Sequence, residues 1–324
     1  MSSHSLSFVA FIGYNLVMLE DALPALIGES RAMRRLLALL GRLAPLPLAI
    51  SLTGESGTGK DHAARWLHHQ SKRAGAFISV NAPRLDSGIA ESVVFGHAKG
   101  SFTGAYHSFA GLFMAADRGT VFLNEIHRLK PEAQGLLLEP LDGRPYRPLS
   151  SEREVRPDVR LLVGSPVPPR DIDPPLDPHL LYRLGSLLVR IPPLRERMDD
   201  LEALLGSAAR RFAATSGVEP KRWEPPALEL MKQFNWPGNV RQLFNVSDAA
   251  TVLAPGDTIP GDVVADLLAD EHGAVPINVG ESLAETVRRA GSHEKAAKLI
   301  GVSTKTIQRR LRESGVTALR GNGS

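Results

Sequence analysis

A glycine-rich turn between an apolar run and a helix-like segment is the feature that most limits how this chain can fold. The turn has the pattern G-x-x-x-x-G-K over residues 54–60, with the apolar run at 46–52 and the helix-like segment at 62–69. Glycines let the backbone curl around a phosphate with its N–H groups pointing inward, and the lysine meets the β- and γ-phosphates as a point charge. The pattern therefore predicts a phosphate-binding loop, in which we include Gly54, Glu55, Ser56, Gly57, Thr58, Gly59, Lys60 and Asp61. The alternative is a surface turn with an unrelated lysine.

Length and composition narrow the class of protein. A chain of 324 residues is long enough for about two domains and a smaller element. No uninterrupted apolar run approaches the roughly 20 residues that span a bilayer, so no membrane partner is expected. The absence of cysteine excludes disulfides and thiolate metal sites. It is also compatible with a reducing compartment, and we expect a cytoplasmic protein.

Four further apolar segments have the character of buried strands. They cover residues 77–80, 119–123, 159–164 and 187–191. A helix is expected over residues 27–43, before the first strand, because apolar residues recur there at helical spacing. Strands that alternate with helical segments predict an α/β fold with a parallel sheet and helical crossovers.

Polar residues follow two of these strands. Asn81 ends the second strand, and Asn124 and Glu125 come directly after the third. The carboxyl ends of parallel strands face the phosphate loop across one edge of the sheet. An acid or amide at that edge would hold the water shell of Mg²⁺, and a glutamate would activate an attacking water.

A second glycine-rich segment lies between the second and third strands. Its glycines at positions 96, 100 and 104 disfavour a stable helix, and Phe102 and Thr103 lie near its centre. The residues alone predict a mobile loop with an exposed Phe102. They leave open the alternative that Phe102 packs into the core.

Four motifs together resemble the bacterial sigma-54-dependent activators, which are AAA+ ATPases. The motifs are GESGTGK at 54–60, FGHAKGSFTGA at 95–105, PPLRER at 192–197 and WPGNVRQL at 236–243. The second is similar to the GAFTGA signature of that family. The resemblance runs from about residue 26 to about residue 255 and resumes at the C-terminus. It implies ATP and Mg²⁺ as cofactors.

The resemblance also implies roles for residues near the sheet. Phe102 and Thr103 would contact the sigma factor when ATP raises their loop. Glu125 would be the catalytic glutamate, and Asn81 would be the switch residue that restrains it.

Two arginines are implicated by the same resemblance. Arg241 would sense the nucleotide from a helical lid, and Arg183 would reach the nucleotide of a neighbouring subunit as an arginine finger. The working assembly would therefore be a ring, usually a hexamer.

Departures from the family pattern weaken the predicted site for hydrolysis. Asn124 stands where the family has aspartate, and its amide would hold Mg²⁺ only weakly, through water. Ser165 and Pro166 replace a Thr-Asn pair, and proline has no N–H to offer. Asp177 occupies the position of a further arginine finger, and Ala98 replaces a glutamate of the loop. Determinants of nucleotide binding are present, whereas determinants of hydrolysis are reduced.

The C-terminal segment is basic. Residues 281–324 hold 9 Lys/Arg against 4 Asp/Glu, which suits a nucleic-acid partner. Small and apolar residues around a tight turn at Gly301 have helix-turn-helix spacing, and the segment resembles a Fis-type DNA-binding domain. Its predicted DNA-binding residues are Ser303, Thr304, Lys305, Gln308 and Arg309, of which Ser303 or Thr304 would also cap the second helix. A basic helical hairpin without a DNA role is the alternative.

Five segments are predicted along the chain. They are an extension (1–25), an AAA+ core (26–195), a helical lid (196–255), a linker (256–280) and the DNA-binding domain (281–324). No export signal is expected, because no basic residue precedes the apolar stretch at 8–19. The extension is too short to form a receiver or ligand-sensing domain.

Together these expectations describe a transcriptional activator. It would bind ATP and double-stranded DNA upstream of a promoter and remodel the closed complex of sigma-54 RNA polymerase. The alternative keeps DNA binding but has little or no motor activity, so that the chain represses or joins a related subunit in a mixed ring. An ATP-dependent loader unrelated to transcription would leave the Fis-like segment unexplained.

Overall fold

The computed structural model describes residues 26–86, 88–184 and 187–269, together with Thr304. The predicted extension and, apart from Thr304, the predicted DNA-binding domain lie outside the described residues. Two compact units are formed. The sheet unit comprises Leu26 and residues 36–54 and 59–191, and the lid unit comprises residues 27–35, 55–58 and the described residues from 192 onward.

The sheet unit is built on five parallel strands. These are β1 (Ile50–Thr53), β2 (Phe77–Asn81), β3 (Thr120–Asn124), β4 (Arg160–Ser165) and β5 (Leu188–Arg190). Their order in the sheet is β2-β3-β4-β1-β5, and each neighbouring pair is parallel. The predicted α/β fold with a parallel sheet is confirmed.

Helices connect the strands, because parallel neighbours need a crossover. Along the chain they are α1 (Arg31–Leu43), α2 (Lys60–Ser71), α3 (Ala90–Phe95), α4 (Leu112–Ala115), α5 (Pro131–Leu141) and α6 (Pro178–Leu184). Helix α2 joins β1 to β2, α3 and α4 lie between β2 and β3, α5 lies between β3 and β4, and α6 precedes β5. None of the helices in the described ranges is long and apolar enough to cross a bilayer.

The inner strands β1 and β4 are buried along their whole length, whereas the edge strand β5 is not. Every residue of β1 and β4 is buried, but β5 is exposed at both of its ends. Strands covered on both faces need continuous apolar runs, and such runs identified them in the sequence.

One buried residue of the sheet is charged. Arg160 begins β4, and its guanidinium donates to the carbonyls of Leu43 at 2.9 Å, Ala44 at 2.7 Å and Leu48 at 3.3 Å. Burial lowers the pKa of Arg160 to about 10, so the group remains a cation at neutral pH. It thereby satisfies carbonyls at the C-terminal end of α1 that have no intrahelical partner.

The helix predicted over residues 27–43 starts later than expected. Helix α1 begins at Arg31, and Ser30 precedes it. The Ser30 hydroxyl accepts the N–H of Met33 at 3.2 Å, which is the bond that an N-cap side chain makes. The apolar spacing continues through the capping Ser30, so spacing alone does not show where the helix begins.

The first strand is also shorter than predicted. It covers Ile50–Thr53 rather than residues 46–52. Pro45 and Pro47 have no N–H to donate to a neighbouring strand, so the segment before Ile50 cannot join the sheet. Leu46 and Leu48 are accordingly exposed.

The lid unit consists mainly of helices. They are α7 (Leu201–Ser216), α8 (Pro225–Gln233), α9 (Asn239–Leu253) and α10 (Gly261–Ala269), with the short parallel strands β6 (Arg222–Trp223) and β7 (Thr258–Ile259). Trp236 is fully buried in its core, and the indole N–H donates to the carbonyl of Met231 at 2.8 Å. Burial of this large ring contributes to the hydrophobic stabilisation of the unit.

The predicted linker over residues 256–280 is wrong up to Ala269. Strand β7 and helix α10 occupy this stretch, and Val263, Val264 and Leu267 are buried in the lid core. Three apolar side chains at this spacing share one helix face, but a nine-residue helix is too short for its period to stand out. Residues 270–280 lie outside the described part of the chain.

A partly buried carboxylate in the lid unit makes the stability of that unit depend on pH. Asp248 on α9 is ion-paired with Arg211 at 2.5 Å, and its side chain is 17% exposed. Burial raises the pKa of Asp248 to about 6, and the attraction of Arg211 only partly offsets this effect. A raised carboxyl pKa stabilises the fold below the unfolded value near 4, and that contribution is lost as pH rises through about 6.

We expect Asp248→Asn to raise the free energy of unfolding at pH 7 by about 1 kcal/mol. A shift of about two pKa units, which already includes the attraction of Arg211, sets an upper bound near 3 kcal/mol, and an amide that fits less well beside Arg211 than a neutral carboxyl reduces the gain. In the variant, Arg211 keeps contact with solvent and with the Phe244 ring, because its side chain is half-exposed and lies 4.9 Å from the ring centre. Urea unfolding at pH 5 and pH 7 measures the change, with the exposed Glu229→Gln as the control. A lower stability of the asparagine variant at pH 7 would contradict the expectation.

Candidate nucleotide-binding site

The glycine-rich turn of residues 54–60 connects the buried strand β1 to α2, as the sequence predicts. Gly57 and Gly59 have φ values of +78° and +102°, which side chains other than glycine rarely adopt. Lys60 begins α2 and is only 7% exposed. Its ammonium donates to the carbonyl of Gly54 at 2.7 Å, so the cation is held inside the curl of the loop. A buried cation beside the unpaired N–H groups of a helix start is a suitable site for a phosphate.

Asp61 follows the lysine, at a position where phosphate loops of this pattern usually carry serine or threonine. Its carboxylate pairs with Arg65 at 2.7 Å and accepts a hydrogen bond from the Ser79 hydroxyl at 3.2 Å. The group predicted to bind a cofactor is therefore engaged with α2 and β2.

Asn124 lies at the end of β3, directly opposite Asn81 in the register of β2. The Oδ1 atom of Asn124 is buried and has no hydrogen-bond partner among the described residues. Space for it exists because Gly164 on β4 has no side chain, and a Cβ there would lie 2.6 Å from this oxygen. A buried acceptor without a donor is costly, so the oxygen is suited to a donor such as bound water.

Glu125 takes a left-handed conformation with φ of +58° immediately after Asn124. Its carboxylate lies 3.6 Å from Nε2 of His127. No hydrogen bond joins it to Asn81 in the described part of the chain, where the predicted switch would need one. The structure thus places both residues at one edge of the sheet without joining them.

His127 is a neighbour of Glu125 that the sequence pattern did not indicate. Burial lowers its pKa, and the nearby cations of Arg128 and Lys60 act in the same direction, although Glu125 opposes them. The imidazole is therefore neutral at pH 7, and its Nδ1 atom is buried without a partner in the described residues.

Asp177 has a local structural role that the resemblance to the activator family does not imply. Its carboxylate accepts the N–H of His179 at 2.8 Å and that of Leu180 at 3.3 Å, so it caps the start of α6. Arg183 near the end of α6 is half-exposed and ion-paired with Asp142 at 2.5 Å. Ser165 is buried at the end of β4, where its hydroxyl accepts the N–H of Val167 at 3.3 Å.

The tip of the phosphate loop, residues 55–58, is bound within the lid unit. Glu55 forms a two-pronged ion pair with Arg195 at 2.7 and 2.5 Å. The buried amide of Asn239 donates to Glu55 at 3.1 Å and to the carbonyl of Ser56 at 3.0 Å. Arg241 approaches the Ser56 hydroxyl at 3.4 Å. Arg241 was predicted from the sequence. Arg195 and Asn239 were assigned no role, although they lie in the motifs PPLRER at 192–197 and WPGNVRQL at 236–243.

The second glycine-rich segment forms a loop, as predicted. Phe102 is 36% exposed and Thr103 is exposed. The Phe102 ring lies 5.1 Å from the ring of His97. Phe102 is thus neither free of contacts nor part of the core.

The predicted DNA-binding residues cannot be placed in the same way. Thr304 is helical and half-buried, while Ser303, Lys305, Gln308 and Arg309 lie outside the described residues. In the described ranges, no cluster of three or more histidine or acidic side chains could hold a metal ion by itself.

A parallel sheet with a phosphate loop and a helical lid defines an AAA+ type of nucleotide-binding protein. Residues 26–187 match the sigma-54 interaction domain, and residues 195–275 match the AAA+ ATPase lid domain. The chain belongs to the family of sigma-54-dependent transcriptional activators.

Relatives support this assignment. The DNA-binding transcriptional regulator NtrC of Rhizobium meliloti strain 1021 is 32% identical over 355 residues, covering 94% of this chain and 72% of that protein. The transcriptional regulatory protein ZraR of Escherichia coli strain K12 is 32% identical over 306 residues, covering 88% and 68%. The crystal structure of NtrX from Brucella abortus in complex with ATP matches with a TM-score of 0.65 and 25% identity, covering 90% of this chain and 69% of that chain.

Proposed function

We propose that this chain is an ATP-binding, DNA-binding regulator that acts on sigma-54 RNA polymerase. The observation that carries the proposal is the presence of two features in the sheet unit. One is the buried Lys60 at the start of α2, and the other is the loop that presents Phe102 and Thr103 at the surface. ATP would change the position of the second loop, which would remodel the closed promoter complex through the sigma factor.

ATP is the proposed ligand of the turn at residues 54–60. Lys60 would give up its bond to the Gly54 carbonyl and meet the β- and γ-phosphates. The glycines allow main-chain N–H groups to face the phosphates, and Arg241 would sense the nucleotide from the lid. The ATP-bound NtrX structure supports nucleotide binding for a chain of this fold.

Mg²⁺ would be held weakly by this chain. The unpartnered Oδ1 of Asn124 can accept a hydrogen bond from water on the ion, and the ion would screen the charge of the phosphates. An amide carries no charge, however, whereas hard cations prefer carboxylate oxygen. The residues present therefore fit a water-mediated magnesium ion rather than a direct one.

Hydrolysis would depend on Glu125 as the base that orients and deprotonates a water molecule. Asn81 would restrain Glu125, and Arg183 would leave Asp142 to reach the nucleotide of the next subunit. The assembly would be a ring of this chain, hexameric in the activator family that it resembles, or a mixed ring with a related subunit.

A second candidate function is favoured by the hydrolysis site itself. Asn124 is uncharged, Pro166 offers no donor, and Asp177 is committed to capping α6. A chain with these features would bind ATP but turn it over slowly. It would then act as a repressor or as a partner in a mixed ring.

Replacing Asn124 by aspartate tests which candidate holds. We expect Asn124→Asp to raise the steady-state rate of ATP hydrolysis about tenfold, because one restored carboxylate contributes about 1.4 kcal/mol to the transition state. Recovery stays incomplete, since Pro166 and Asp177 remain. The rates of both proteins are measured at matched Mg²⁺, with and without sigma-54, and ring assembly is checked by sedimentation.

Glu125→Gln in the aspartate background is the matched control. It should remove the gain, because the restored carboxylate acts only when the base is present. Rapid hydrolysis by the natural chain, with no gain from aspartate, would show that Asn124 is no handicap and would exclude the slow-motor candidate.

DNA binding is assigned to residues 281–324, beyond the AAA+ core and the lid. With 9 Lys/Arg against 4 Asp/Glu, this segment would displace counterions from DNA phosphates. We expect its deletion to abolish binding to promoter-upstream DNA. Arg309→Ala should reduce the salt slope of binding by about one unit, the value for one phosphate contact. Fluorescence anisotropy across a salt series measures both effects, and ATP affinity is the internal control. Unchanged DNA binding after the deletion would place the DNA contact elsewhere in the chain.

A further inference from the structure

His97 lies at the neck of the loop that carries Phe102 and Thr103. Its N–H donates to the carbonyl of Phe109 at 2.8 Å, and the N–H of Phe109 donates back to the carbonyl of His97 at 2.9 Å. This pair closes residues 98–108 into a loop. On the other side of the neck, Ala98 donates to the carbonyl of Leu149 at 3.0 Å. Any movement of the loop as a body must therefore pivot at the neck formed by His97 and Phe109.

The imidazole of His97 is fixed from two directions. Its Nε2 atom lies 3.0 Å from the carbonyl of His107, within the loop, and its Nδ1 atom lies 2.7 Å from the hydroxyl of Ser92, on α3. A carbonyl can only accept, so Nε2 carries a proton and donates to it, and in the neutral imidazole Nδ1 accepts from the serine hydroxyl. Both His97 and Ser92 are almost fully buried. One tautomer and one ring orientation satisfy both bonds.

The fixed ring faces the side chain proposed to contact the sigma factor. Phe102 meets it edge to face, with 5.1 Å between ring centres and 65° between the planes. Phe109 approaches the same ring at 6.0 Å. Edge-to-face pairs stabilise beyond the area they bury. About two thirds of the Phe102 surface is covered, although the residue lies in a surface loop.

We propose that His97 is the positioning residue of this loop. Its imidazole, anchored to α3 through Ser92, holds the Phe102 ring against the sheet unit and so sets the resting position from which the loop reaches a partner. The inference rests on the proposed function only in naming sigma-54 as that partner. A histidine that served the core alone would affect folding but not the mobility of the loop tip.

Label mobility at the loop tip measures this role directly. The chain has no cysteine, so Thr103→Cys gives a single site for a nitroxide in the chain of 324 residues. We expect His97→Ala to shorten the rotational correlation time of the label about threefold, from the range of an ordered loop towards that of a free one. Ser92→Ala removes one anchor without changing the loop, and should shift the spectrum in the same direction by a smaller amount.

Tyr106→Ala is the matched control, because Tyr106 lies on the same loop and is 76% exposed. It should leave the label spectrum unchanged. Circular dichroism and ATP affinity report whether each variant is folded, and Ser92→Ala decides the test if His97→Ala does not fold. An unchanged spectrum in a folded anchor variant would overturn the proposal.

Binding of unlabelled protein to sigma-54 separates this inference from the proposed function. If Phe102→Ala leaves sigma-54 binding intact while His97→Ala frees the label, the loop is positioned by His97 but contacts another partner. If Phe102→Ala abolishes binding and the label stays restricted without His97, the sigma contact stands and the positioning role fails.

Discussion

Lys60→Ala should abolish ATP binding, with a loss of affinity of about a hundredfold to ten-thousandfold. The ammonium is the buried cation of the phosphate loop, and its bond to the Gly54 carbonyl holds it where the β- and γ-phosphates would lie. Two charge-assisted hydrogen bonds contribute about 1.5 to 3 kcal/mol each, and about 1.4 kcal/mol corresponds to a factor of ten in affinity. Titration with a fluorescent ATP analogue in the presence of Mg²⁺ measures the change.

Lys221→Ala is a matched control for this result. Lys221 also donates its ammonium to a main-chain carbonyl, that of Ala254 at 2.6 Å, but it belongs to the lid unit and not to the phosphate loop. Its loss should leave ATP affinity within about twofold of the natural protein, a difference of about 0.4 kcal/mol. Normal affinity in Lys60→Ala would refute the assignment of residues 54–60 as the phosphate-binding loop.

Phe102→Ala should abolish transcription activation while ATP affinity stays unchanged. The ring is 36% exposed and lies near the tip of its loop, so its removal takes away a contact surface rather than a piece of the core. A fully buried phenylalanine would cost about 3 to 5 kcal/mol on truncation, and we expect about 1 kcal/mol here. Transcription in vitro from a sigma-54 promoter and thermal unfolding of the purified protein measure the two quantities separately.

Tyr106→Ala serves as the comparison, since it removes a more exposed aromatic ring from the same loop. It should keep most of the activation. A large fall in melting temperature for Phe102→Ala, in place of a selective loss of activation, would show that the ring is needed for folding.

The features that the sequence revealed are those with a strong local pattern. The strands of the sheet are continuous apolar runs because both faces are covered, and the phosphate loop needs glycine at positions with positive φ. The polar ends of β2 and β3 were placed at one edge of the sheet by parallel topology alone, and the register of Asn81 with Asn124 agrees. These properties follow from backbone geometry, so residue type and spacing are sufficient to predict them.

Features that depend on one side chain reaching a distant or hidden partner could not be predicted. Ser30 and Asp177 cap helices, yet serine and aspartate are also frequent in turns away from helix ends. Helix α10 was missed because nine residues give too little periodicity. Asn239 reaches Glu55 across 184 positions of sequence, and no spacing rule covers such a pair. The mutual approach of His127 and Glu125 depends on the tight turn after β3.

The guanidinium of Arg160 has a practical consequence for shortened versions of this protein. Its three acceptors are the carbonyls of Leu43, Ala44 and Leu48, which precede the first strand. A fragment trimmed to start at the phosphate loop would lack these three hydrogen-bond acceptors of the buried guanidinium. A buried charge that loses its partners strongly destabilises a fold. Fragments made for crystallisation or for binding assays should therefore retain α1, even though every residue of the phosphate-binding turn comes after it.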